Sequence, residues 1–332
     1  MGEREAGQAL QMIKDGGQEV IDILDPSTAR NVVRNRLARG DVKGVVIVGG
    51  YDVISAERID VLDAPLRQRI GAEIRDEPDR FVVWSDDIFG DLDNDGIAEL
   101  PVSRIPDGRS SELLLKCLSA SSGTAPGRFG IRNQERPFAN AIWNSIPGNE
   151  AILVSGPAQT SHVQSRDVQR PCIYFMLHGD DDDGARFWGE DGGPVEAINV
   201  STVPAMGVGT VFAGCCWGAL TVSQIASKAQ GTLGTKTPEQ SMALKLLQGG
   251  ARAFIGCTGA HYSPSEGGEY FGGPMHKAFW SELAGKGREP AKALFEARKS
   301  FLLGMPHGMS KPYHLGIERK IYKQFTCLGL GW

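Results

Sequence analysis

The chain has 332 residues, 41% hydrophobic and 23% charged, with 35 Lys and Arg against 40 Asp and Glu for a formal charge of −5. That balance is globular: it excludes whole-chain disorder, collagen and coiled coil, and it lacks the basic excess of a nucleic-acid-binding surface. No apolar run approaches the ~18 residues that cross a bilayer, and the length suits about two domains or one large α/β unit.

The opening stretch MGEREAGQALQMIKDGG carries charges of both signs and no apolar core. It does not read as a secretory signal, so the chain is expected to be cytoplasmic, with no membrane contact. Residues 27–40 (STARNVVRNRLARG) predict a helix closed by Gly40. Residues 43–50 (KGVVIVGG) predict a buried strand ending in glycines, and 81–84 (FVVW) and 99–104 (ELPVSR) two more strands. Residues 110–120 (SSELLLKCLSA) predict a helix capped by Ser110 or Ser111. Small residues, Gly and Pro cluster at 121–128 (SSGTAPGR), the best linker candidate. Beyond it the pattern predicts a helix over 135–146, with Pro137 near its start, and a strand over 150–155. A strongly apolar strand over 172–177 (CIYFML) runs into His178-Gly179, and another over 209–213 (GTVFA) runs into Gly214-Cys215-Cys216. A helix over 240–248, a strand over 251–257 (ARAFIGC) and helices over 275–283 and 290–303 complete the series. Short apolar strands between amphipathic helices predict an α/β fold with a mostly parallel sheet covered on both faces.

In open parallel sheets reactive residues gather at the carboxyl ends of strands. Here two consecutive strands end in His178 and in the Cys215-Cys216 pair. A cationic imidazole beside a thiol lowers its pKa and yields a thiolate nucleophile. Gly179, without a side chain, lets its N–H approach a developing oxyanion, and the nucleophile's own N–H makes the second donor. The bland alternative is a polar strand-end histidine beside two packed cysteines. Six cysteines in 332 residues form no disulfide framework, and reduced cysteine in apolar runs packs as a small core residue. His162, His276, His307 and His314 have no reactive partner nearby in sequence; His261 follows the 251–257 strand and is placed to line the same sheet edge. No CxxC pair and no HExxH helix argue for zinc.

Two acidic segments stand out. Asp91, Asp93 and Asp95, then Gly96 and Glu99, resemble the opening of a calcium loop, although the twelfth position is Val102 where an EF-hand has Glu. The alternative is an Asx-rich turn leading into a strand. Asp180, Asp181, Asp182 and Asp183 follow the candidate histidine directly. They read either as a solvated loop or as an acidic rim that attracts a basic substrate, with Glu190 and Asp191 adding to the field.

These residues together resemble the gingipain-type cysteine peptidases of the caspase-like clan. Residues 43–55 (KGVVIVGGYDVIS) are similar to that family's strand and Gly-Asp-Val-Ile-Pro-like turn. Residues 85–106 (SDDIFGDLDNDGIAELPVSRIP) resemble its Asp-rich loop and Gly-Arg-Ile-Pro-like strand. Residues 174–179 (YFMLHG) and 211–218 (VFAGCCWG) match its His-Gly and Cys strands, and 324–331 (QFTCLGLG) is faintly similar to its closing segment without the Asp-Pro. The resemblance covers roughly residues 30–330. It implies a caspase-like α/β/α fold in two similar halves, here 1–124 non-catalytic and 125–332 catalytic. It implies peptide-bond cleavage through a thioester, with His178 as base and acid and Gly179 and the nucleophile as oxyanion donors. It also implies a structural calcium ion, which fits Asp91, Asp93, Asp95 and Glu99; the chemistry itself needs no cofactor. Cys215 has the Cys-x-x-Gly spacing common in the clan and is the favoured nucleophile, whereas Cys216 has the Cys-x-Gly spacing of caspases. The stretch that would carry the family's P1-reading acids has no clear counterpart, so Asp180 and Asp181 are the candidates for that charge. Trp188, His261 and Tyr262 are candidate pocket walls. The expected partners are a protein or peptide substrate and a regulatory partner that, like calcium, gates the activity.

Two other classes compete. Gly214-Cys215-Cys216-Trp217-Gly218 also fits the Gly-x-Cys-x-Gly elbow of class I amidotransferases with Cys216 as nucleophile, but no His-x-Glu or His-x-Asp follows it. A catalytically inactive caspase-like scaffold is the non-enzyme alternative.

Overall fold

A strand covered on both faces has no side to give to water, so it is apolar throughout. The computed structural model describes residues 3–120, 127–156, 163–203, 209–263, 271–305 and 311–332. Its strands are β1 (Val45–Val48), β2 (Glu57–Asp60), β3 (Val82–Ser85), β4 (Val102–Ile105), β5 (Arg128–Arg132), β6 (Leu153–Val154), β7 (Cys172–Met176), β8 (Arg186–Glu190), β9 (Pro194–Asn199), β10 (Thr210–Ala213), β11 (Ala253–Cys257) and β12 (Phe325–Leu328). Its helices are α1 (Glu3–Asp15), α2 (Ala29–Leu37), α3 (Ala64–Ile70), α4 (Ser111–Ser119), α5 (Ala139–Trp143), α6 (Ser165–Val168), α7 (Met242–Gln248), α8 (Gly272–Trp280), α9 (Pro290–Gly304) and α10 (Pro312–Gln324). No helix among the described residues is long and apolar enough to cross a membrane.

Among the described residues one eight-stranded sheet runs β1-β4-β12-β11-β10-β7-β5-β6. Its pairs are parallel except β11 with β12, which is antiparallel. β12 is the seam: it pairs along its length with β11 and meets β4 through one residue pair, Leu328 opposite Arg104. Small antiparallel ribbons, β2-β3 and β8-β9, lie outside the main sheet.

Period-two alternation sorts each central strand between two cores. Tyr174 and Met176 of β7 and Phe212 of β10 join residues of α3, α5, α8, α9 and α10 on one face. Ile173, Phe175, Val211 and Ala213 join residues of α1, α4, α6 and α7 on the other. The architecture is therefore α/β with helices on both faces of a mostly parallel sheet, as the sequence predicts.

Several expected elements change size. The helix expected over 135–146 shortens to α5, and just past its C-terminal end the Arg128 guanidinium takes the carbonyls of Trp143 and Ile146 and lies over the Trp143 ring at 4.4 Å. The strand expected over 150–155 is reduced to β6. Most of the expected linker, 121–126, lies outside the described residues, and β5 follows directly at Arg128. Ser110, not Ser111, caps α4, its hydroxyl accepting the Leu113 N–H at 3.2 Å.

One buried ion cluster joins distant pieces of chain. The Lys320 ammonium of α10 is fully buried and bonds Glu77 and both oxygens of Asp79, the latter at 3.1 Å. Asp79 also accepts the N–H groups of Phe81 at 3.0 Å and Ala260 at 2.7 Å. The hydroxyls of Tyr262 and Tyr313 donate to Glu77 at 2.9 and 2.7 Å. Removing one member strands the others without solvent. Lys320→Met is expected to cost about 3–5 kcal/mol in denaturant unfolding at pH 7. Burial pushes the Asp79 carboxyl up, and a carboxyl with a raised folded pKa contributes stability at low pH that is lost as pH rises. The deficit of Lys320→Met relative to wild type should therefore narrow as the pH is lowered; a constant deficit would contradict this assignment.

Candidate active site

The carboxyl ends of β7 and β10 lie side by side, with Ala213 paired to Phe175. Continuing the alternation puts Met176 and His178 on one face and Leu177 on the other. On β10 it puts Phe212, Gly214 and Cys216 on the His178 face and Cys215 opposite. The packing agrees: Cys215 is completely buried in the cluster that holds Leu177, Phe187 and Ala219. Cys216 is the only one of the six cysteines that keeps partial exposure, and all six are described. Burial pushes both thiols above the ordinary value, Cys215 furthest. The expectation favoured Cys215 on spacing; Cys215 is wholly buried, and Cys216, on the His178 face, is the cysteine that keeps partial exposure.

The Cys216 sulfur is held by the main chain of His261. It lies 3.3 Å from the His261 N–H, which donates to it, and 3.5 Å from the His261 carbonyl, which accepts from the thiol. Trp217 follows with φ +50, a left-handed turn that is uncommon for a large side chain. Gly179 packs directly on the Cys216 carbonyl, and a Cβ there would collide with that oxygen. Among the described residues neither the Gly179 nor the Cys216 N–H is used in a hydrogen bond, so two backbone donors remain open at the thiol.

His178 is oriented by groups that the sequence did not expose. Its main chain pairs with Trp188 of β8, N–H to carbonyl at 2.7 Å and back at 3.2 Å, and its ring stacks on the Trp188 indole at 6.2 Å. Its Nε2 lies 3.0 Å from Glu190 Oε2 and 3.1 Å from Asn133 Nδ2. Asn133 Oδ1 accepts the N–H groups of Glu135 and Glu190, both at 3.1 Å, so its amide is fixed with Nδ2 toward the carboxylate at 2.6 Å. Glu190 Oε2 thus accepts from both Asn133 and an Nε2–H of His178, and those two bonds hold its carboxyl below the ordinary range. With Nε2 carrying the hydrogen, Nδ1 is left as the basic nitrogen. Glu190 entered the sequence reading only as background charge, and Asn133 not at all. Among the described residues no hydrogen bond joins His178 to either cysteine.

The expected pocket walls fare differently. The His261 ring is buried rather than lining a groove; its Nε2 faces His276 Nε2 at 3.1 Å, and His276 Nδ1 meets the Tyr174 hydroxyl at 3.0 Å. Gly214 and Gly272 leave the room for these two imidazoles. The Tyr262 hydroxyl is committed to Glu77. Trp188 remains at the site through its stack on His178. In the acidic loop, Asp181 pairs with Lys228 at 3.1 Å and Asp183 with Arg186 at 2.7 Å, while Asp180 accepts the Asp182 N–H at 2.9 Å. The Lys236 ammonium is buried within reach of all four charges. The rim is therefore largely countered from within the chain.

The Asp-rich loop is the Asx-rich turn of the alternative reading. Asp91 accepts the N–H groups of Asn94 and Gly96 at 2.6 and 3.0 Å, Asp93 that of Asp95 at 3.1 Å, and Glu99 that of Leu92 at 2.6 Å. Asp91, Asp93, Asp95 and Glu99 also bring carboxylate oxygens within 4.8 Å of one another, a hard-oxygen set that suits calcium. No family model matches the sequence, and no curated protein is significantly similar to it.

The buried imidazole pair sets an acid limit. Burial pushes His276 down to about 3, and burial with its neighbour pushes His261 down as well. A depressed folded pKa gives stability that is present above the unfolded value and lost as pH falls toward the folded one. Unfolding stability should decline below about pH 6.5, by up to roughly 1.4 kcal/mol per pH unit for each group. His276→Gln should flatten that slope in denaturant titrations at pH 7, 6 and 5; an equal slope would remove the pair as its cause.

Proposed function

We propose that the protein is a cysteine endopeptidase with Cys216 as nucleophile and His178 as its base. The observation that carries this reading is the shared face: a partly exposed cysteine and an imidazole with its Nε2 held by a carboxylate, at the ends of adjacent parallel strands. His178 Nδ1 takes the thiol proton, and the thiolate adds to the scissile carbonyl. The open N–H groups of Gly179 and Cys216 receive the oxyanion. Protonated His178 gives its proton to the departing amine, leaving a thioester that water hydrolyses with His178 again as base. Glu190 stabilises the imidazolium, and Asn133 fixes Glu190. The resemblance to gingipain-type peptidases supports a caspase-like fold in two halves, 1–124 and 125–332, with the second catalytic. The amidotransferase reading needs the ring of a histidine after the cysteine. The one that touches Cys216, His261, does so through its main chain.

In assays with a fluorogenic peptide library, Cys216→Ala and His178→Ala should lose about a thousandfold or more in kcat/KM, and Glu190→Gln on the order of tenfold to a hundredfold, mainly in kcat. Cys215→Ala should retain cleavage with a lower Tm. Loss confined to Cys215→Ala would return the nucleophile to that residue, and inert wild type with unlabelled Cys216 would favour the scaffold reading.

The same reading includes a structural calcium ion held by Asp91, Asp93, Asp95 and Glu99. Calcium at 100 times its Kd should stabilise the fold by about 2.7 kcal/mol, a rise of roughly 5 °C in Tm for a chain of this size. Chelation should abolish the rise, as should Asp93→Asn with Asp95→Asn. A Tm indifferent to calcium would leave the loop as an Asx turn.

A further inference from the structure

The stretch after β11 is tied to the turn after β10 in steps of two residues. The Ala219 N–H donates to the Cys257 carbonyl at 2.9 Å, and the Trp217 N–H to the Gly259 carbonyl at 2.9 Å. The next step falls on His261. There the Cys216 sulfur stands where a carbonyl would, 3.3 Å from the His261 N–H that donates to it. The thiol in turn donates to the His261 carbonyl at 3.5 Å. Among the described residues no hydrogen bond joins His178 to this sulfur, so its polar partner is the main chain of His261.

His261 is anchored on both sides to the buried ion cluster. The preceding Ala260 N–H donates to Asp79 Oδ2 at 2.7 Å, and the following Tyr262 hydroxyl donates to Glu77 Oε2 at 2.9 Å. Asp79 is wholly buried; its Oδ1 accepts the Phe81 N–H at 3.0 Å, and the Lys320 ammonium bonds both oxygens at 3.1 Å. A carboxylate bonded by three donors from separate parts of the chain is a fixed point, and a charge-assisted bond to it is about twice as strong as a neutral one. The chain passes close by it: a Cβ on Gly259 would lie 2.6 Å from Asp79 Oδ2. Burial pushes the Cys216 thiol up, and the His261 N–H is the strongest influence in the other direction, because a donor aimed at sulfur favours the thiolate. The negative charge of Asp79 acts oppositely, pushing the thiol up. The bond that Asp79 makes and the charge that it carries therefore affect the thiol with opposite signs.

We propose that Asp79 is a positioning residue for the nucleophile: by holding the Ala260 N–H it keeps the His261 N–H on the Cys216 sulfur, where that donor stabilises the attacking thiolate. This rests on the peptidase reading above, with Cys216 as nucleophile. When His178 Nδ1 takes the thiol proton, the bond from the thiol to the His261 carbonyl is lost and the electron pair stays on sulfur. The His261 N–H then remains to face that charge until the sulfur adds to the scissile carbonyl.

The first test needs no cleavage. The pH dependence of iodoacetamide alkylation at Cys216 reports its ionisation, and fragment mass spectrometry separates it from Cys215. In Asp79→Asn one oxygen becomes a donor, so the Ala260 and Phe81 N–H groups and Lys320 can no longer all be accepted. Its alkylation midpoint should rise by about one pH unit, which slows alkylation at pH 7 roughly tenfold. Tyr262→Phe releases the other side of His261 without changing any charge, and its midpoint should rise by about half a unit. A merely structural role gives the reverse: loosened packing relieves burial, and loss of the Asp79 charge favours the thiolate, so both lower the midpoint and speed alkylation. A midpoint that falls or stays in Asp79→Asn overturns the proposal. If Asp79→Asn does not fold, Tyr262→Phe decides by the same sign. The second test is peptide cleavage, in which Asp79→Asn should lose about tenfold in kcat with KM unchanged. A loss confined to KM overturns the positioning role. Raised midpoints in a protein that cleaves no peptide uphold the hold on the thiol and overturn the peptidase reading instead.

Discussion

The burial of Lys320 is the constraint on which the site depends. An ammonium with no exposure is tolerable only when fully bonded, and its acceptors Glu77 and Asp79 precede β3, far from α10 in the chain. Asp79 spends its remaining capacity on the Ala260 N–H, next to the His261 peptide that holds the Cys216 sulfur. A charge neutralised in the interior thereby fixes the height of the loop after β11 against the turn after β10. Tyr262, bonded to Glu77, ties the next residue of that loop to the same anchor. The thiol is positioned by a folding requirement rather than by a contact local to it.

The imidazoles divide into two kinds by environment alone. His178 is partly exposed and sits against a carboxylate, so its charged form has a partner. Among the described residues no carboxylate bonds either ring of His261 and His276, which face each other, and burial keeps them neutral. Two neutral rings joined Nε2 to Nε2 need one donor and one acceptor, which orders the protons along the line from the Tyr174 hydroxyl inward. The neutral pair gives the His261 main chain a rigid backing without placing a second cation under the thiol.

What the sequence revealed about the site followed from local pattern. Apolar runs ending in His178 and in Cys215-Cys216 put the chemistry at strand ends because parallel strands share an edge. The face on which each cysteine lies was equally legible, since alternation along 172–178 and 211–216 places His178 and Cys216 on one face, a pattern that motif spacing does not use. Glu190 and Asn133 were not legible. Asn133 reaches His178 from β5, 45 residues away, and Glu190 arrives through a hairpin whose only signal is a weak alternation. β5 itself was hidden because Arg128, Gly130 and Arg132 interrupt its apolar pattern; the arginines bond at its ends, and Gly130 makes room for the Trp143 ring. The acidic loop misled for a related reason: its counter-charges Lys228 and Lys236 lie about fifty residues downstream.

The seam strand has a consequence for how the molecule comes into being. β12 lies in the middle of the sheet yet is formed by residues 325–328, so β4 and β11 have no shared neighbour until those residues leave the ribosome. Until then the nascent chain carries two separate sheet fragments, each with an open edge of unpaired N–H and C=O groups. Closing the sheet is then an event of high contact order. It also sets the geometry of the candidate site, because β12 leads straight out of α10, which carries Lys320. In a chain assembled in this order the Cys216 thiol is made before the α10 residue whose buried ion cluster fixes the loop that holds it.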